Sequence, residues 1–515
     1  MRLQEGLANQ RCRPCRPDRR IAVGLFCVVF VAYAWFFGGG GWNQNAHFDL
    51  TRALVERQTF HIDGYRVNTG DISWSREAHA YSNKPPGLPF LAAIPYALLM
   101  TIERAMHVSL DSWLVMTINV YVLTLVVVAI PGALIPVVLF SYLRRRGVSS
   151  RAAVCTALVT AFATIVFPYS TVFYSVVPAA FFLLLAFVWL EGGRPARPGR
   201  TGRPPSCDDE RPLLAGVAAG IAGMCFYFCI PAAAVFAIGT FVHSRRNALR
   251  FILGGLPFGI LLAVYHTVCF GAPWRATFAG KSGHTREGLI LGLFRAPSWD
   301  AFHGITFSEY RGLFFVSPVL LLAFAGAFFM IRRRVMLREL AMIGAVVAMF
   351  VLIVSSFAAG WEGGLAFGPR HILPMIPLLA IPLAFVRWQW LVLLLAIPSF
   401  AMQFVAASVN VQPPGNVFHP VRAYLVPIFL TGNIPPDTLK TMGESDAHVG
   451  KVSINRQAVD ELIPHFVHPR GSHESTWASF NLGELIFGPT RRSSVIPIAL
   501  WILSGSLLLI RQSQP

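Results

Sequence analysis

The sequence predicts an all-α polytopic membrane protein of about twelve transmembrane helices. Three observations predict it: a composition too apolar for a soluble chain, apolar runs near the length of a bilayer crossing, and basic residues confined to short loops between those runs. Of 515 residues, 55% are hydrophobic and only 13% are charged, with 41 Phe and a mean hydropathy of +0.56. A soluble chain carries about 25% charged residues. A helix needs roughly 20 apolar residues to cross a ~30 Å hydrocarbon core. Within lipid only a helix satisfies every backbone group inside its own segment, so the apolar runs read as helices. The net charge of +18 invites a nucleic-acid reading, but its placement argues against one. The positive residues cluster at 11–20, 144–151, 194–203, 245–250 and 332–338, the positive-inside pattern of cytoplasmic loops.

Topology follows from those charges. A basic cytoplasmic tail (1–20) leads into a first span over Ile21–Gly38. That run exceeds a signal-peptide core and no A-x-A site follows it, so it reads as uncleaved. The return crossing, Trp113–Leu143, places Arg144, Arg145 and Arg146 inside. Between them, Gly87–Met100 is short and carries Pro89 and Pro95. If it crossed, the arginines would fall outside, so it is expected to lie at the interface or re-enter. Further spans are expected at about 152–170, 175–191, 213–230, 231–244, 250–270, 313–331, 339–358, 372–387, 389–406 and 495–510, with both termini inside. The chain then divides into a transmembrane core (21–406) with a first outer loop (39–112), an extracytoplasmic region (407–494), and a last helix with its tail (495–515). The Pro-, Gly- and Arg-rich stretch Gly192–Arg211 reads as a cytoplasmic linker. Cys12 and Cys15 form a CxxC in the basic tail without a second ligand pair, too little for zinc or redox chemistry.

The polar residues gather in the outer loops. The run Asn43–Glu56 suits a helix on the membrane surface, with Phe48, Leu50, Ala53 and Leu54 on one side and Asn45, Asp49, Arg52 and Glu56 on the other. Asp49 is either a functional carboxylate or an i,i+3 partner of Arg52. Asp71 follows in a Gly-containing turn, ahead of Tyr81-Ser82-Asn83-Lys84-Pro85-Pro86-Gly87. Lysine is rare here, occurring only at 84, 281, 440 and 451. At the expected membrane surface, the Lys84 ammonium could hold a lipid-linked phosphate as a point charge; the alternative is a snorkelling surface lysine. Near the end of the core, Trp361–His371 contains three glycines that permit close backbone approach, with Arg370 and His371 where the next span begins. Arginine's planar fork suits phosphate oxygens, or Arg370 caps helix ends in a tight turn. A comparable arrangement surrounds Arg311, where pairing with Glu309 is the simpler alternative.

Taken in order, NQNAHFDLTRALVE, IDGY, TGD, YSNKPPG, RGLFFVSP and GGLAFGPR resemble the GT-C glycosyltransferases, closest to the protein-mannosyltransferase and lipid A aminoarabinose transferase types. The likeness covers residues 20–190 and continues through isolated motifs. It implies a bacterial enzyme of the plasma (inner) membrane and cell envelope. Such an enzyme transfers a sugar from a polyprenyl-phosphate donor to an acceptor hydroxyl on a glycan, lipid or protein, outside the membrane and with inversion. By motif, Lys84 matches the family's phosphate-binding lysine. Arg370, His371 and Arg311 are further phosphate candidates, and Asn45 and His47 are candidate sugar or acceptor contacts. Relatives often carry Asp-Glu early in the first loop, where this chain has Gln44-Asn45, and the residue before Lys-Pro is Asn83 rather than an acid. The base is therefore expected at Asp71 or Asp49, with Asp63 in reserve. No residue spacing identifies a metal site, although a divalent cation remains compatible with the reading. A transporter or flippase of a lipid-linked sugar is the alternative. It should place ionisable residues within the spans, which here hold almost none.

Overall fold

The computed structural model describes residues 16–75, 77–111, 113–191, 211–275, 277, 293–358, 360–415, 417–431, 479–487 and 492–514. The CxxC tail, most of the 192–211 linker and most of the 407–494 region lie outside the described residues. In chain order the helices are α1 (Arg16–Ala34), α2 (Trp42–Glu56), α3 (Gly87–Ala105), α4 (Trp113–Thr124), α5 (Ile130–Arg145), α6 (Ser150–Phe162), α7 (Val166–Tyr169), α8 (Val176–Glu191), α9 (Arg211–Cys225), α10 (Cys229–Phe241), α11 (Arg245–Phe270), α12 (Trp299–Thr306), α13 (Leu313–Val316), α14 (Leu322–Arg332), α15 (Leu337–Ser355), α16 (Ile376–Leu379), α17 (Gln389–Val409), α18 (Val426–Thr431) and α19 (Ile496–Gln512). The chain is a helical, polytopic membrane protein. All twelve stretches expected to span carry helix. Among the described residues six helices are long and apolar enough to cross a membrane, and seven shorter apolar helices accompany them.

Local sequence explains the boundaries. A π-helical turn over Leu125–Ala129 joins α4 to α5, giving one continuous apolar run. At the start of α11, Ser244 accepts a hydrogen bond from the Asn247 N–H, and the helix stops at Gly271 in the left-handed region (φ 84°). The stretch 372–387 departs from a regular span: Pro374, Pro377 and Pro382 divide it into short 3₁₀ and α turns, nearly all of them buried. Helices α9 and α11 cross closely because Gly216 and Gly254 sit at the crossing. A Cβ at either would collide with the Phe251 or Leu213 carbonyl of the other helix.

One end of the bundle is laced by ion pairs. Arg144 at the end of α5 meets Asp18 at the start of α1 (3.1 Å), Arg146 meets Glu339 of α15 (2.8 Å), and Arg338 meets Glu191 of α8 (3.2 Å). The ends predicted to share a face are thus brought together. The opposite end carries α2, two pairs of short strands and the loops around Arg311 and Arg370. There β1 (Phe36–Phe37) pairs antiparallel with β4 (Phe480–Asn481), and β2 (Ile72–Trp74) pairs antiparallel with β3 (Ala80–Ser82).

Two expectations about the first loop are corrected. Helix α2 is not amphipathic on a surface: every residue from Gln44 to Ala53 is buried. It is covered by α3, by the 3₁₀ turn Asp63–Asn68 and by the end of α11, where Leu50, Ile62, Tyr81, Tyr265 and Phe270 form a separate apolar cluster. Burying such side chains contributes roughly 1.5–3 kcal/mol each. Nor does Arg52 pair with Asp49; it binds Glu56 (2.7 Å) and Asp111 (2.6 Å). Helix α3 is longer than its expected 87–100 extent, running for 19 residues to Ala105. Pro89 falls in its first turn, where no helical N–H bond is lost. By length and composition α3 could cross a membrane. Its course nevertheless follows α2: Tyr96 donates to Glu56 (2.5 Å) and the Glu103 carboxyl feels both Glu56 and Arg52. Its other face exposes Ile94, Leu98 and Ile102 at four-residue spacing.

Candidate active site

The β2–β3 register explains how Asp71 and Lys84 meet. Ile72 opposes Ser82 and Trp74 opposes Ala80, so the next pair outward is 71 with 83. The Asn83 N–H donates to the Asp71 carbonyl (3.1 Å), and its side-chain amide approaches the Asp71 carboxylate (3.4 Å). One residue further, the Lys84 ammonium lies 2.9 Å from Asp71 Oδ2, the two side chains only 11% and 13% exposed. The preceding turn is held by Thr69, whose hydroxyl donates to the Trp42 carbonyl (2.7 Å) and accepts from the Asp71 N–H (3.0 Å). Gly70 is required there, because a Cβ would collide with the Trp42 ring. Gly87 has the same kind of role: it lets the first turn of α3 rest on the backbone at the end of α9, fixing the Lys-Pro-Pro segment in place.

Two further side chains face this pair. His47, on buried α2, feels the charges of Lys84, Asp71 and Arg370. Burial, reinforced by the Lys84 and Arg370 cations and only partly opposed by Asp71, pushes its imidazole down to about 3. His47 is therefore neutral at physiological pH, and its Nδ1 makes no hydrogen bond among the described residues. Arg370 arrives on the glycine-rich loop, where Gly363, Gly364 and Gly368 all adopt positive φ (79°, 63° and 65°). A Cβ on Gly363 would come within 3.0 Å of Arg370 Nε, so this glycine makes room for the guanidinium. The guanidinium carbon lies 5.1 Å from the centre of the Tyr174 ring, while Nε is buried without a hydrogen-bond partner among the described residues. Tyr174, in the turn before α8, feels Arg370 and Asp71 and donates its hydroxyl to Gln412 (2.7 Å). Together Lys84, Arg370, Asp71 and neutral His47 carry one more cation than anion, an excess suited to phosphate.

The remaining candidates stand differently. His371 feels Arg370 and Lys84 but sits among Phe226, Phe228 and Phe357, stacked on the first at 6.0 Å. Arg311 is wholly buried and donates to three backbone carbonyls, those of Tyr310 (3.1 Å), Glu362 (3.3 Å) and Gly364 (3.0 Å). It orders the loop that carries Arg370. Glu309 is not its partner, pairing instead with His419 (2.6 Å) and Arg422 (3.1 Å). Asn45 binds the Asn68 carbonyl (2.5 Å) and accepts from the Gly41 N–H (3.3 Å). Asp63 lies toward the other end of the hairpin, accepting from the Ala80 N–H (2.6 Å) and facing His61 and His79. Sequence reading missed Tyr174; an aromatic in an apolar stretch gives no signal until Arg370 is found on its ring.

Asp49 lies inside α2. It accepts from Asn68 (3.1 Å), and its second oxygen has no hydrogen-bond partner among the described residues. Burial dominates and pushes its carboxyl up to about 8, against the smaller opposing pulls of Asn68 and Arg52. A raised folded-state value means that stability is fully present below the unfolded carboxyl's value near 4 and is lost as pH rises toward 8. Asp49→Asn removes the ionisation and keeps the shape. The variant is expected to melt near the wild type at pH 5 and clearly above it at pH 8, by an amount on the order of a few kcal/mol. Equal differences at both pH values would contradict a buried, protonatable Asp49.

A groove between α1 and α19, lined by Arg19, Arg20, Gly24, Val28, Leu509 and Gln512, opens at the arginine-rich end, away from this cluster.

No family model and no curated protein matches the chain. Among solved structures it is similar to ArnT from Cupriavidus metallidurans bound to undecaprenyl phosphate. The identity is 14%, the match covers 96% of this chain and 77% of that one, and the TM-score is 0.48. Against the same protein in the apo state the identity is 15%, the coverage 96% and 76%, and the TM-score 0.48.

Proposed function

We propose that this chain is a membrane glycosyltransferase that moves a sugar from a polyprenyl-phosphate donor to an acceptor hydroxyl on the extracytoplasmic side, with inversion. The observation that carries the reading is the Lys84–Asp71 pair, a cation and a carboxylate 2.9 Å apart and nearly buried, faced by Arg370 and neutral His47. Such a cluster supplies both things that an inverting displacement needs. Lys84 and the unpaired Nε–H of Arg370 stabilise the phosphate as it takes up charge on leaving. Asp71 accepts the proton of the attacking hydroxyl. In the resting state Asp71 already holds the Lys84 ammonium; an arriving phosphate competes for that ammonium and leaves the carboxylate available to the acceptor. Asp49 serves this role poorly, because burial holds much of it protonated at neutral pH. His47 can orient a hydroxyl of the sugar through its free ring nitrogen. The ordered loop motifs shared with the GT-C enzymes support the same class of donor.

The test is a panel of polyprenyl-phosphate sugars presented to purified wild type and Asp71→Asn, with donor hydrolysis and transfer recorded. Wild type is expected to turn over at least one donor, and Asp71→Asn to lose about 10²–10⁴-fold in kcat while still binding donor. Full turnover by Asp71→Asn would move the base elsewhere. A wild type inert toward every donor and acceptor pair would sink the transferase reading.

A further inference from the structure

We propose that His61, Asp63 and His79 bind one divalent transition-metal ion, with zinc the best match, which staples the turn ahead of the β2–β3 hairpin to the start of β3. Nothing in the sequence spacing announces this site, since Asp63 and His79 are far apart in the chain. The hairpin brings them together. Among the described residues these three offer ligand atoms that all lie within 4.8 Å of one another. Asp63 Oδ2 is 2.6 Å from His79 Nδ1 and 3.1 Å from His61 Nδ1, and the two imidazoles stack with centroids 4.9 Å apart and planes 24° apart. Tetrahedral zinc, bonded at about 2.0–2.1 Å, holds its ligand atoms roughly 3.3 Å from each other. To admit the ion, Asp63 Oδ2 must draw back by about 0.7 Å from His79 Nδ1 and about 0.2 Å from His61 Nδ1.

Three details favour a ligand over a plain carboxylate–imidazole contact. His61 Nδ1 is shielded from solvent yet makes no hydrogen bond among the described residues, although the carboxylate is close by. Asp63 Oδ1 is fixed by the Ala80 N–H (2.6 Å), which orients Oδ2 toward the two rings, as outer partners orient metal ligands. The Ile62 N–H donates to the Ala80 carbonyl (2.7 Å), so the backbone under the site is already paired. Two nitrogens and one oxygen suit zinc or its neighbours in the transition series and not calcium or magnesium, which take oxygen shells. The side chains are 32–43% exposed, which leaves an entry path and a fourth position for water.

The ion's place in the fold assigns it a structural role. It sits at the opposite end of the hairpin from Asp71 and Lys84, away from the reacting groups. It anchors the turn Asp63–Asn68, whose last residue binds both Asp49 (3.1 Å) and Asn45 (2.5 Å) of α2. Metal bound only by the folded chain stabilises it by mass action.

The experiment uses full-length, tag-free protein in detergent, stripped with a chelator, equilibrated with micromolar zinc and freed of excess before elemental analysis. One equivalent is expected in wild type and none in the His61→Ala/His79→Ala double variant. Zinc should raise the melting temperature of the first and not of the second. Cobalt in place of zinc should give the intense visible absorption of a tetrahedral site. His79→Cys, which keeps three ligands, should retain the metal and add a sulfur-to-cobalt charge-transfer band, so the proposal stays open to test if the double variant fails to fold. A wild type that retains no zinc, or a variant lacking both histidines that retains as much as wild type, overturns the proposal. So does a cysteine variant without the new band.

Discussion

Lys84→Ala is expected to lower sugar transfer by about 10²–10³-fold, the loss that follows removal of one preorganised charge from a site of developing anion. The same change leaves the Asp71 carboxylate, 13% exposed, without its ammonium. Breaking one half of a buried pair destabilises a protein by up to about 3–5 kcal/mol, and the residual exposure puts this pair toward the lower end. Lost turnover and lost folding must therefore be separated. The double variant Lys84→Met/Asp71→Asn removes both charges, and it is expected to recover most of the melting temperature lost by Lys84→Ala while remaining inactive. If the double variant regained turnover along with stability, Lys84 and Asp71 would both be structural residues, and the donor-site and base assignments would fail together.

The second large effect is expected at Arg311. Its side chain is fully buried, its guanidinium lies 4.1 Å from the centre of the Tyr310 ring, and it donates to three carbonyls across two loops. Arg311→Leu removes those donors from three partly buried carbonyls, at about 1 kcal/mol each. Lysine cannot reproduce the planar fork, so Arg311→Lys should recover only a small part. Both variants are expected to show a marked drop in melting temperature and folded yield, with donor affinity weakened only as far as the loop carrying Arg370 loosens. An Arg311→Leu protein that melts with the wild type yet has lost donor binding would return Arg311 to the phosphate site.

Lys84 and Arg311 show what the sequence could and could not convey. Composition and charge placement were enough to find the spans, because lipid imposes a length and an apolar character that any window of sequence displays. All twelve expected stretches carry helix. The stretch 372–387 is irregular inside because proline spacing, unlike hydropathy, decides backbone regularity. The first loop was legible in its residues but not in its burial. A helix reading Asn45, His47, Asp49, Arg52 looks half-wetted, yet α3 and the hairpin cover its polar side as well. Lys84 and Asp71 could be named from motif and elimination, but their contact needed the β2–β3 register. Arg370 and Arg311 occupy similar glycine-flanked motifs, and nothing local separates them. Only the carbonyls around one and the unpaired Nε of the other tell a loop organiser from a free donor. The His61–Asp63–His79 cluster is the extreme case, since pairing distant residues is what a hairpin does.

The most direct test of the central claim is the position of the lipid phosphate in a structure of the protein with a polyprenyl-phosphate bound. The phosphate oxygens are expected within about 3 Å of the Lys84 ammonium, facing Arg370, with Asp71 no longer bridging Lys84. A phosphate seated elsewhere, with the Lys84–Asp71 pair still closed, would contradict that claim.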